Sequence, residues 1–330
     1  MTRDVAEGWR PDAGGGTDDD GAFQRAETTF RDVVRDDPEA TFPAEAGRYH
    51  LYVSRACPWA HGAVLVRDLL GLSDAVSMDV VDPYRDERGW RFSPEREGCT
   101  PDTATGADYL AAVYAAADPG YDGRVSVPVL WDRERETIVN NESIEVMRMF
   151  ASAFGAHARD GIDLYPTDRR DEIDRLVDDI YDPVNNGVYR AGFAGSQGAY
   201  EAAVGELFAA LDDLDDRLAD RRYLAGEALT LADLRLFPTL VRFDEVYHTH
   251  FKCNVRRLVD YPNLWGYTRE LYQLPGVAET VDMAHIKEHY YTTHDSLNPK
   301  RVVPVGPDPD FEAPHDRDSL PGGPPDALAD

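Results

Sequence analysis

An apolar strand pattern leads directly into the start of a helix in the segment Tyr49-His-Leu-Tyr-Val-Ser-Arg-Ala-Cys-Pro-Trp-Ala-His61. Pro58 suits the first position of a helix, because it lacks an amide proton and its φ is already helical. Cys57 is therefore predicted at a helix N-terminus, where unpaired N–H groups and the helix dipole stabilise a thiolate. Since the thiolate is the nucleophilic form, this junction predicts a reactive cysteine. The alternative, a buried structural cysteine, is less favoured because strand, Cys, Pro and helix occur together.

The residue that would complete a Cys-x-x-Cys pair is Ala60. A resolving thiol is therefore absent from the same loop, and Cys57 must exchange with a thiol from outside the loop. This pattern predicts monothiol chemistry.

The order of elements around Cys57 predicts a thioredoxin-like domain. The predicted elements are a strand at 49–53, a helix at 58–70, a strand at 75–81, an insertion at about 83–122, a hairpin at 127–132 and 137–139, and a helix from 140. Pro128 is unfavourable in a central strand, because proline has no N–H to donate to the strand ladder. A cis Val127–Pro128 bond at the start of the strand would resolve this and would aim the Val127 backbone at a ligand.

The second half of the chain reads as helical. Apolar periodicity predicts helices at 169–180, 200–218, 231–246, 264–271 and 284–291. Thr230 and Asp233 have the spacing of a capping box, which needs no catalytic role. The predicted organisation is an N-terminal extension at 1–46, a thioredoxin-like domain at 47–160, an all-helical domain at 161–295 and an extended tail at 296–330 with a frayed end.

The charge of the chain is extreme. It has 62 acidic residues and 34 basic ones, for a formal net charge of −28, and Lys occurs only at 252, 287 and 300. Nucleic acid is nearly excluded as a partner, because phosphate binding requires a basic surface. The net charge also disfavours acidic substrates globally. The acid is spread through both halves, which is typical of adaptation to a salt-rich cytoplasm that screens self-repulsion.

The cysteine count and the apolar content point to a cytoplasmic protein. Cys57, Cys99 and Cys253 are well separated, so a disulfide framework is not expected. No apolar run approaches the length of a membrane span, and the first residues lack the apolar segment of a signal peptide. Cys99 and Cys253 do not lie at helix starts, and Cys253 is interpreted as structural.

Several segments, taken together, closely resemble the glutathionyl-hydroquinone reductases, also called Xi-class glutathione transferases. The resemblance runs from about 49 to 314. The segments that carry it are Cys57-Pro-Trp-Ala60, Gly89-Trp-Arg-Phe92, 121–132, Ile138-Val-Asn-Asn-Glu-Ser143, Asn186-Gly-Val-Tyr-Arg-Ala-Gly-Phe193, Arg242-Phe-Asp-Glu-Val-Tyr247, His250-Phe-Lys-Cys-Asn254, 260–265 and His289-Tyr-Tyr291. The resemblance implies an N-terminal thioredoxin-like domain, a C-terminal all-helical glutathione-transferase domain and a homodimer.

The resemblance also implies a reaction. Cys57 attacks the sulfur of a thioether that joins glutathione to a hydroquinone, the quinol leaves, and a second glutathione resolves the Cys57 mixed disulfide. The resemblance places Tyr189 and Tyr290 near the aromatic ring, with Tyr291 as the competing choice, where protonation of the leaving carbon requires an acid. The alternative for these tyrosines is amphipathic packing.

Five further residues are predicted to contact glutathione. Glu142 and Ser143, at a helix start, suit the γ-glutamyl end, and Val127 would pair with the cysteinyl unit in β-fashion. Trp90 and Arg124 resemble contacts at the far end of glutathione. The alternatives are helix capping for Glu142 and Ser143, ordinary packing for Trp90 and a surface ion pair for Arg124. If the host is a salt-loving archaeon, γ-glutamylcysteine could replace glutathione, which would leave Arg124 less to hold.

No metal site is predicted. His248 and His250 alternate without a Cys or carboxylate that would complete a site, and His285 and His289 lack the central Glu of a His-Glu-x-x-His motif. Two other functions stay open: a glutaredoxin-like deglutathionylase of protein mixed disulfides, and a non-catalytic module that binds aromatic ligands. Replacement of Cys57 by Ser would abolish both enzyme activities but not binding.

Overall fold

A four-stranded mixed sheet lies at the centre of the first half of the chain. The computed structural model describes residues 16–328, so the predictions about the first residues lie outside the described part. After a two-stranded hairpin of β1 (Gly16–Thr17) and β2 (Phe23–Gln24), the sheet has the strands β3 (Tyr49–Val53), β4 (Val76–Val80), β5 (Val129–Asp132) and β6 (Thr137–Asn140). The strand order is β4-β3-β5-β6, with β3 and β4 parallel and the remaining pairs antiparallel.

Helices cover this sheet in the order that the sequence predicts. Helix α1 (Pro58–Leu69) connects β3 to β4 and packs against α3 (Ser143–Ala153). The parallel strand pair requires such a crossover helix. All five residues of β3 are buried. The arrangement is a thioredoxin-like domain, as predicted, and the predicted insertion contains a helix that the sequence analysis missed, α2 (Leu110–Ala117).

The second half of the chain is all-helical. Its helices are α4 (Arg170–Ile180), α5 (Gly187–Gly192), α6 (Gln197–Arg217), α7 (Leu231–Leu240) and α8 (Pro262–Gln273), followed by α9 (Met283–Thr293). Short 3₁₀ turns lie at Leu72–Asp74, Gly155–His157, Thr167–Arg169, Leu258–Asp260, Ala278–Thr280, Arg317–Ser319 and Asp326–Leu328. The capping box predicted at Thr230 and Asp233 is present at the start of α7.

Two single turns of π-helix interrupt this half, at Tyr181–Asn185 and Phe243–Tyr247. The sequence predicts one helix over 231–246, and that prediction is wrong beyond Leu240. Apolar periodicity does not distinguish an α-helical turn from a wider π turn, because both keep apolar side chains on the buried side. All five residues of the second π turn are buried.

The residues form two compact units. Within the described part, the first contains 26–159 and 282–295, and the second contains 16–25, 160–281 and 296–328. Helix α9 thus belongs to the same unit as Cys57. The domain boundaries given above stay a sequence prediction, since compact units and sequence domains need not share their ends.

The C-terminal tail is anchored to the helical unit. Arg317 is 2% exposed and donates hydrogen bonds to the backbone carbonyls of Leu218 and Arg222 at 2.6 and 2.8 Å. Phe311 stacks on Tyr272, and Leu328 is buried. The prediction of a frayed end is wrong up to residue 328, because composition does not reveal these long-range contacts.

Candidate active site

Cys57 is the N-cap residue of α1, with Pro58 in the first helical turn, as the sequence predicts. Its backbone is extended (φ −78°, ψ 120°), and its carbonyl accepts the hydrogen bond of His61 N at 3.0 Å. The residue is half-buried, whereas Ala60 is fully buried one turn further on. The thiol therefore lies at the positive end of the helix dipole.

Val127 lies next to this thiol, although 70 residues separate the two positions. The Cys57 Sγ atom is 3.7 Å from the Val127 carbonyl oxygen, within the distance of a weak S–H donor bond. The Val127–Pro128 bond is cis, as predicted. The fold thus brings Cys57 together with a backbone edge at the start of β5.

Glu142 and Ser143 lie at the start of α3. Glu142 is the N-cap residue, but its side chain makes no capping hydrogen bond. Its Oε2 accepts a hydrogen bond from Thr28 Oγ1 at 3.1 Å, and its backbone N donates to Asn140 Oδ1 at 2.7 Å. Simple capping therefore does not explain the glutamate at this position. Thr28 lies in the predicted N-terminal extension and was not identified from the sequence.

Trp90 is held between two side chains of the first unit. Its indole is 4% exposed and stacks on His289 of α9, with ring centroids 5.0 Å apart, and the guanidinium of Arg85 lies 5.7 Å from its ring. His289 Nδ1 in turn lies 2.7 Å from the carbonyl oxygen of Pro83. Packing against Arg85 and His289 accounts for the burial of Trp90, so its expected contact with glutathione stays a proposal.

Tyr290 follows His289 on α9 and is 1% exposed, while Tyr291 is 5% exposed. The Tyr290 ring lies edge-on to His289 and His294, each at a centroid distance of 5.4 Å. Burial does not distinguish which of the two tyrosines faces the site.

Arg124 lies in the same unit as Tyr290. It is half-buried, and its carbonyl accepts a hydrogen bond from Tyr121 at 2.6 Å.

Tyr189 lies in the second unit, on α5. It is half-buried in an aromatic cluster formed by Phe193, Tyr247 and Phe251, with centroid distances of 6.3, 6.1 and 5.3 Å. The guanidinium carbon of Arg25 lies 4.8 Å from the centre of its ring. Tyr189 thus packs against three aromatic rings and also contacts the cation of Arg25.

Cys99 and Cys253 are the two other cysteines of the chain. Burial, followed by the charge of Asp82, raises the pKa of Cys99 to about 11. Cys253 is fully buried, and this burial raises the pKa of its thiol. Both thiols are therefore protonated at neutral pH, and the full burial of Cys253 agrees with its structural interpretation.

Within residues 16–328, no group of three or more His, Cys, Asp or Glu side chains is placed to hold a metal ion. Over the same residues, no helix combines the length and the apolar character that a membrane crossing requires.

Three contacts of predicted site residues are not predicted from the sequence: those of Arg25 with Tyr189, of Thr28 with Glu142 and of His289 with Trp90. Arg25 and Thr28 lie before the segment that carries the family resemblance. The sequence places His289 in the family segment His289-Tyr-Tyr291 but does not indicate its stacking on Trp90. Nothing in the local sequence indicates the contact of Thr28 with Glu142 or the pairing of Arg25 with Tyr189, because both partners are distant in the chain.

Family patterns match both halves of the chain. The family described as "Glutathione S-transferase, N-terminal domain" matches residues 56–153, and "Glutathione S-transferase, C-terminal domain" matches residues 197–270. These matches, together with the thioredoxin-like and all-helical halves, define a protein of the glutathione transferase class.

Individual relatives narrow the class. The chain is 49% identical over 304 residues to "Glutathionyl-hydroquinone reductase YqjG" of Escherichia coli strain K12, covering 90% of this chain and 93% of the relative. It is also 49% identical over 287 residues to "Glutathionyl-hydroquinone reductase PcpF" of Sphingobium chlorophenolicum, covering 87% and 90%. The chain therefore belongs to the glutathionyl-hydroquinone reductase family.

Solved structures agree with this assignment. The Xi-class glutathione transferase from Natrialba magadii is 56% identical and superposes with a TM-score of 0.89, covering 94% of this chain and 98% of that one. The glutathione-bound structure of YqjG from Escherichia coli K-12 is 49% identical with a TM-score of 0.85, covering 91% and 98%.

Proposed function

We propose that this protein reductively removes glutathione from glutathionylated hydroquinones, with Cys57 as the nucleophile. The observation that carries the proposal is the position of Cys57 at the N-terminus of α1, half-exposed, with the Val127 carbonyl oxygen 3.7 Å from its sulfur. A Ser or Tyr here could activate a bound thiol for conjugation but could not accept a sulfur atom. A cysteine therefore favours a reductase over a conjugating transferase.

The reaction proceeds in two steps. The Cys57 thiolate attacks the thioether sulfur, a Cys57–glutathione disulfide forms, and the pair of electrons of the broken carbon–sulfur bond goes to the ring carbon, which takes a proton. A second glutathione, as thiolate, then attacks the mixed disulfide, so that oxidised glutathione leaves and the Cys57 thiolate is restored. The sum converts one thioether and one thiol into one hydroquinone and one disulfide, with no other oxidant or reductant.

We assign the proton donor to Tyr189, with Tyr290 as the second tyrosine of the site. A phenol holds its proton at neutral pH and can hydrogen-bond to a quinol oxygen. For the thiol, we assign Val127 to the cysteinyl unit, Glu142 and Ser143 to the γ-glutamyl end, and Trp90 and Arg124 to the glycine end. For Glu142 this assignment is supported by the lack of a side-chain capping bond, because helix capping does not explain the glutamate at this position.

The net charge of the chain supports a proposal about the cellular environment of the enzyme. A chain with net charge −28 and three lysines suits a salt-rich cytoplasm, in which the enzyme would clear quinones as a homodimer. The thiol is glutathione or, as the alternative, γ-glutamylcysteine. Arg124→Gln tests the contact with the glycine end: if Arg124 holds the glycine carboxylate, the variant raises the KM for glutathione and leaves that for γ-glutamylcysteine unchanged.

Mass spectrometry tests the mechanism. The protein is incubated in high salt with a glutathionyl-hydroquinone and no free thiol. A mass gain of one glutathione on the Cys57 peptide, with release of an equal amount of quinol, is expected. Cys57→Ser should show neither, and Cys99→Ser, the matched control, should behave like the wild type.

Two results would contradict the proposal. If folded protein leaves Cys57 unmodified and releases no quinol, while still binding the aromatic compound, the protein is a binding module. If Cys57 takes glutathione from a glutathionylated protein but not from the thioether, it is a deglutathionylase.

A further inference from the structure

The N-terminal hairpin places a cation on the ring of Tyr189. Arg25 follows β2, and its guanidinium carbon lies 4.8 Å from the Tyr189 ring centre and 5.5 Å from the centre of the Phe23 ring. Its Nε donates a hydrogen bond to Asn186 Oδ1 at 2.9 Å. Asn186 is 7% exposed and is the N-cap residue of α5, the helix that carries Tyr189. The guanidinium is therefore fixed in position by the same helix start that positions the tyrosine.

The hairpin itself is held against the helical unit. The Phe23 ring lies 5.6 Å from that of Phe193, and the Ser196 hydroxyl donates to the Asp20 carbonyl at 2.7 Å. Gly21 adopts φ +83°, and a Cβ on it would come within 2.8 Å of the Ser196 backbone nitrogen. These contacts hold the residues that precede Arg25 close to α5 and α6.

We propose that Arg25 is a positioning residue for the reaction, whose charge stabilises the phenolate that Tyr189 becomes when it gives up its proton. The inference rests on the proposed function, in which Tyr189 is the proton donor. A cation over an aromatic face is attracted by the ring, and the attraction grows when the ring becomes an anion. Arg25 therefore favours the deprotonated product over the protonated reactant, which makes the phenol a stronger acid.

The proton balance is simple. Tyr189 Oη gives its proton to the ring carbon as the carbon–sulfur bond breaks, and the phenolate regains a proton from solvent before the next turnover. Arg25 keeps its own protons throughout, since a guanidinium does not deprotonate in this pH range. It contributes charge only.

Other titratable groups also lie around Tyr189. Tyr247 packs against it from the π-helical turn at 6.1 Å, and His250 stacks on Phe251, which contacts Tyr189. Burial, followed by the charge of Lys252, lowers the pKa of His250 to about 4, so this ring is neutral at working pH. On the helix of Tyr189 itself, Arg190 is paired with Glu206 at 2.6 Å. Among these neighbours, Arg25 is the cation placed over the ring.

The test compares Arg25→Met, which keeps much of the stem length but not the charge, with Arg25→Lys, which keeps the charge. Arg256→Met is the matched control, because Arg256 lies 4.5 Å from the ring of Tyr261 in the same unit, on a tyrosine outside the site. The rate constant kcat for quinol release is measured in each variant from pH 6 to 11. The pKa of Tyr189 in the protein without substrate is measured separately by ultraviolet difference titration. Each protein is compared with its own Tyr189→Phe form.

We expect Arg25→Met to lower kcat by about 2- to 30-fold and to move the basic limb of the pH profile upward by about 0.4 to 1.5 pH units. Arg25→Lys should lower kcat less and shift the pH profile less than Arg25→Met does, because it keeps the charge. Arg256→Met should change neither quantity. An Arg25→Met variant that is folded, with an unchanged pH profile and an unchanged Tyr189 titration, would overturn the proposal. If the wild type releases no quinol, the proposed function fails, and the titration still decides whether Arg25 acts on Tyr189.

Discussion

His289 and Trp90 lie stacked, with ring centroids 5.0 Å apart and planes inclined by 24°. His289 Nδ1 also lies 2.7 Å from the Pro83 carbonyl, so the imidazole is held between the insertion and its own helix. Tyr290 is the next residue on α9. The same helical turn therefore supports Trp90, which is proposed to contact glutathione, and carries Tyr290, which is proposed to lie near the aromatic ring of the substrate.

Replacement of His289 should therefore weaken thiol binding more than it slows the reaction. An aromatic pair contributes about 0.5–1.5 kcal/mol beyond burial, so His289→Leu should raise the KM for glutathione by about 2- to 10-fold. His289→Phe keeps the stack but not the hydrogen bond, and should fall between Leu and the wild type. Steady-state kinetics with varied thiol measures this. Equal effects of both variants on kcat, with KM unchanged, would contradict the assignment of Trp90.

Helix α5 packs closely on Phe251, and this contact predicts how a substitution at Gly192 affects stability. A Cβ on Gly192 would lie 2.3 Å from Phe251 Cγ and 2.9 Å from its Cβ, and Phe251 packs edge-on against Tyr189. Gly192→Ala should therefore displace the ring and destabilise the fold by about 1–3 kcal/mol, the usual cost of overpacking. Denaturant unfolding in high salt measures the loss.

Gly205→Ala is the control for this variant. Gly205 lies inside α6 with nothing within 4 Å of its Cβ position, so the same change there should stabilise by about 0.5–1 kcal/mol. Equal stability changes at the two glycines would show that the contact with Phe251 does not resist the added methyl group.

The sequence predicted the parts of this site that depend on local pattern. The strand before Cys57, the helix from Pro58 and the cis bond before Pro128 all follow from neighbouring residues. Arg25 and Thr28 could not be placed, because their partners lie more than 100 positions away and ordinary loop sequence surrounds them. Helix α5 was missed for a different reason, since it has six residues and a glycine at each end, a composition that disfavours a helix.

The burial of His250 predicts a specific dependence of stability on pH. Burial lowers its pKa from 6.5 to about 4, so between these values the unfolded chain binds a proton that the folded protein does not. Unfolding is then favoured as the pH falls through this window, and the stabilisation is fully present above about pH 6.5. The unfolding free energy of His250→Gln should decline less steeply than that of the wild type between pH 6.5 and 4. Parallel curves for the two proteins would contradict this assignment.

Asp233 is a buried acidic residue that connects three parts of the helical unit. Its carboxylate is fully buried and accepts hydrogen bonds from Leu224 N, Thr230 N and Tyr267 Oη, each at 2.8 Å, and from Thr230 Oγ1 at 3.0 Å. These bonds connect the start of α7 to the loop before it and to α8. An alanine would leave buried donors unpaired, and each unpaired donor costs about 1–3 kcal/mol.

Asp233→Ala should therefore destabilise the protein by at least about 3 kcal/mol, measured by denaturant unfolding in high salt. Thr230→Ala should cost only about 1 kcal/mol, because it removes the helix cap and leaves the bonds to Leu224 and Tyr267 intact. If Asp233 acted only as the capping partner of Thr230, the two variants would be equally unstable and the double variant would add nothing. The bond to Tyr267 predicts instead that Tyr267→Phe is destabilising in the wild type and much less so in Asp233→Ala, a coupling that a double-mutant cycle measures directly.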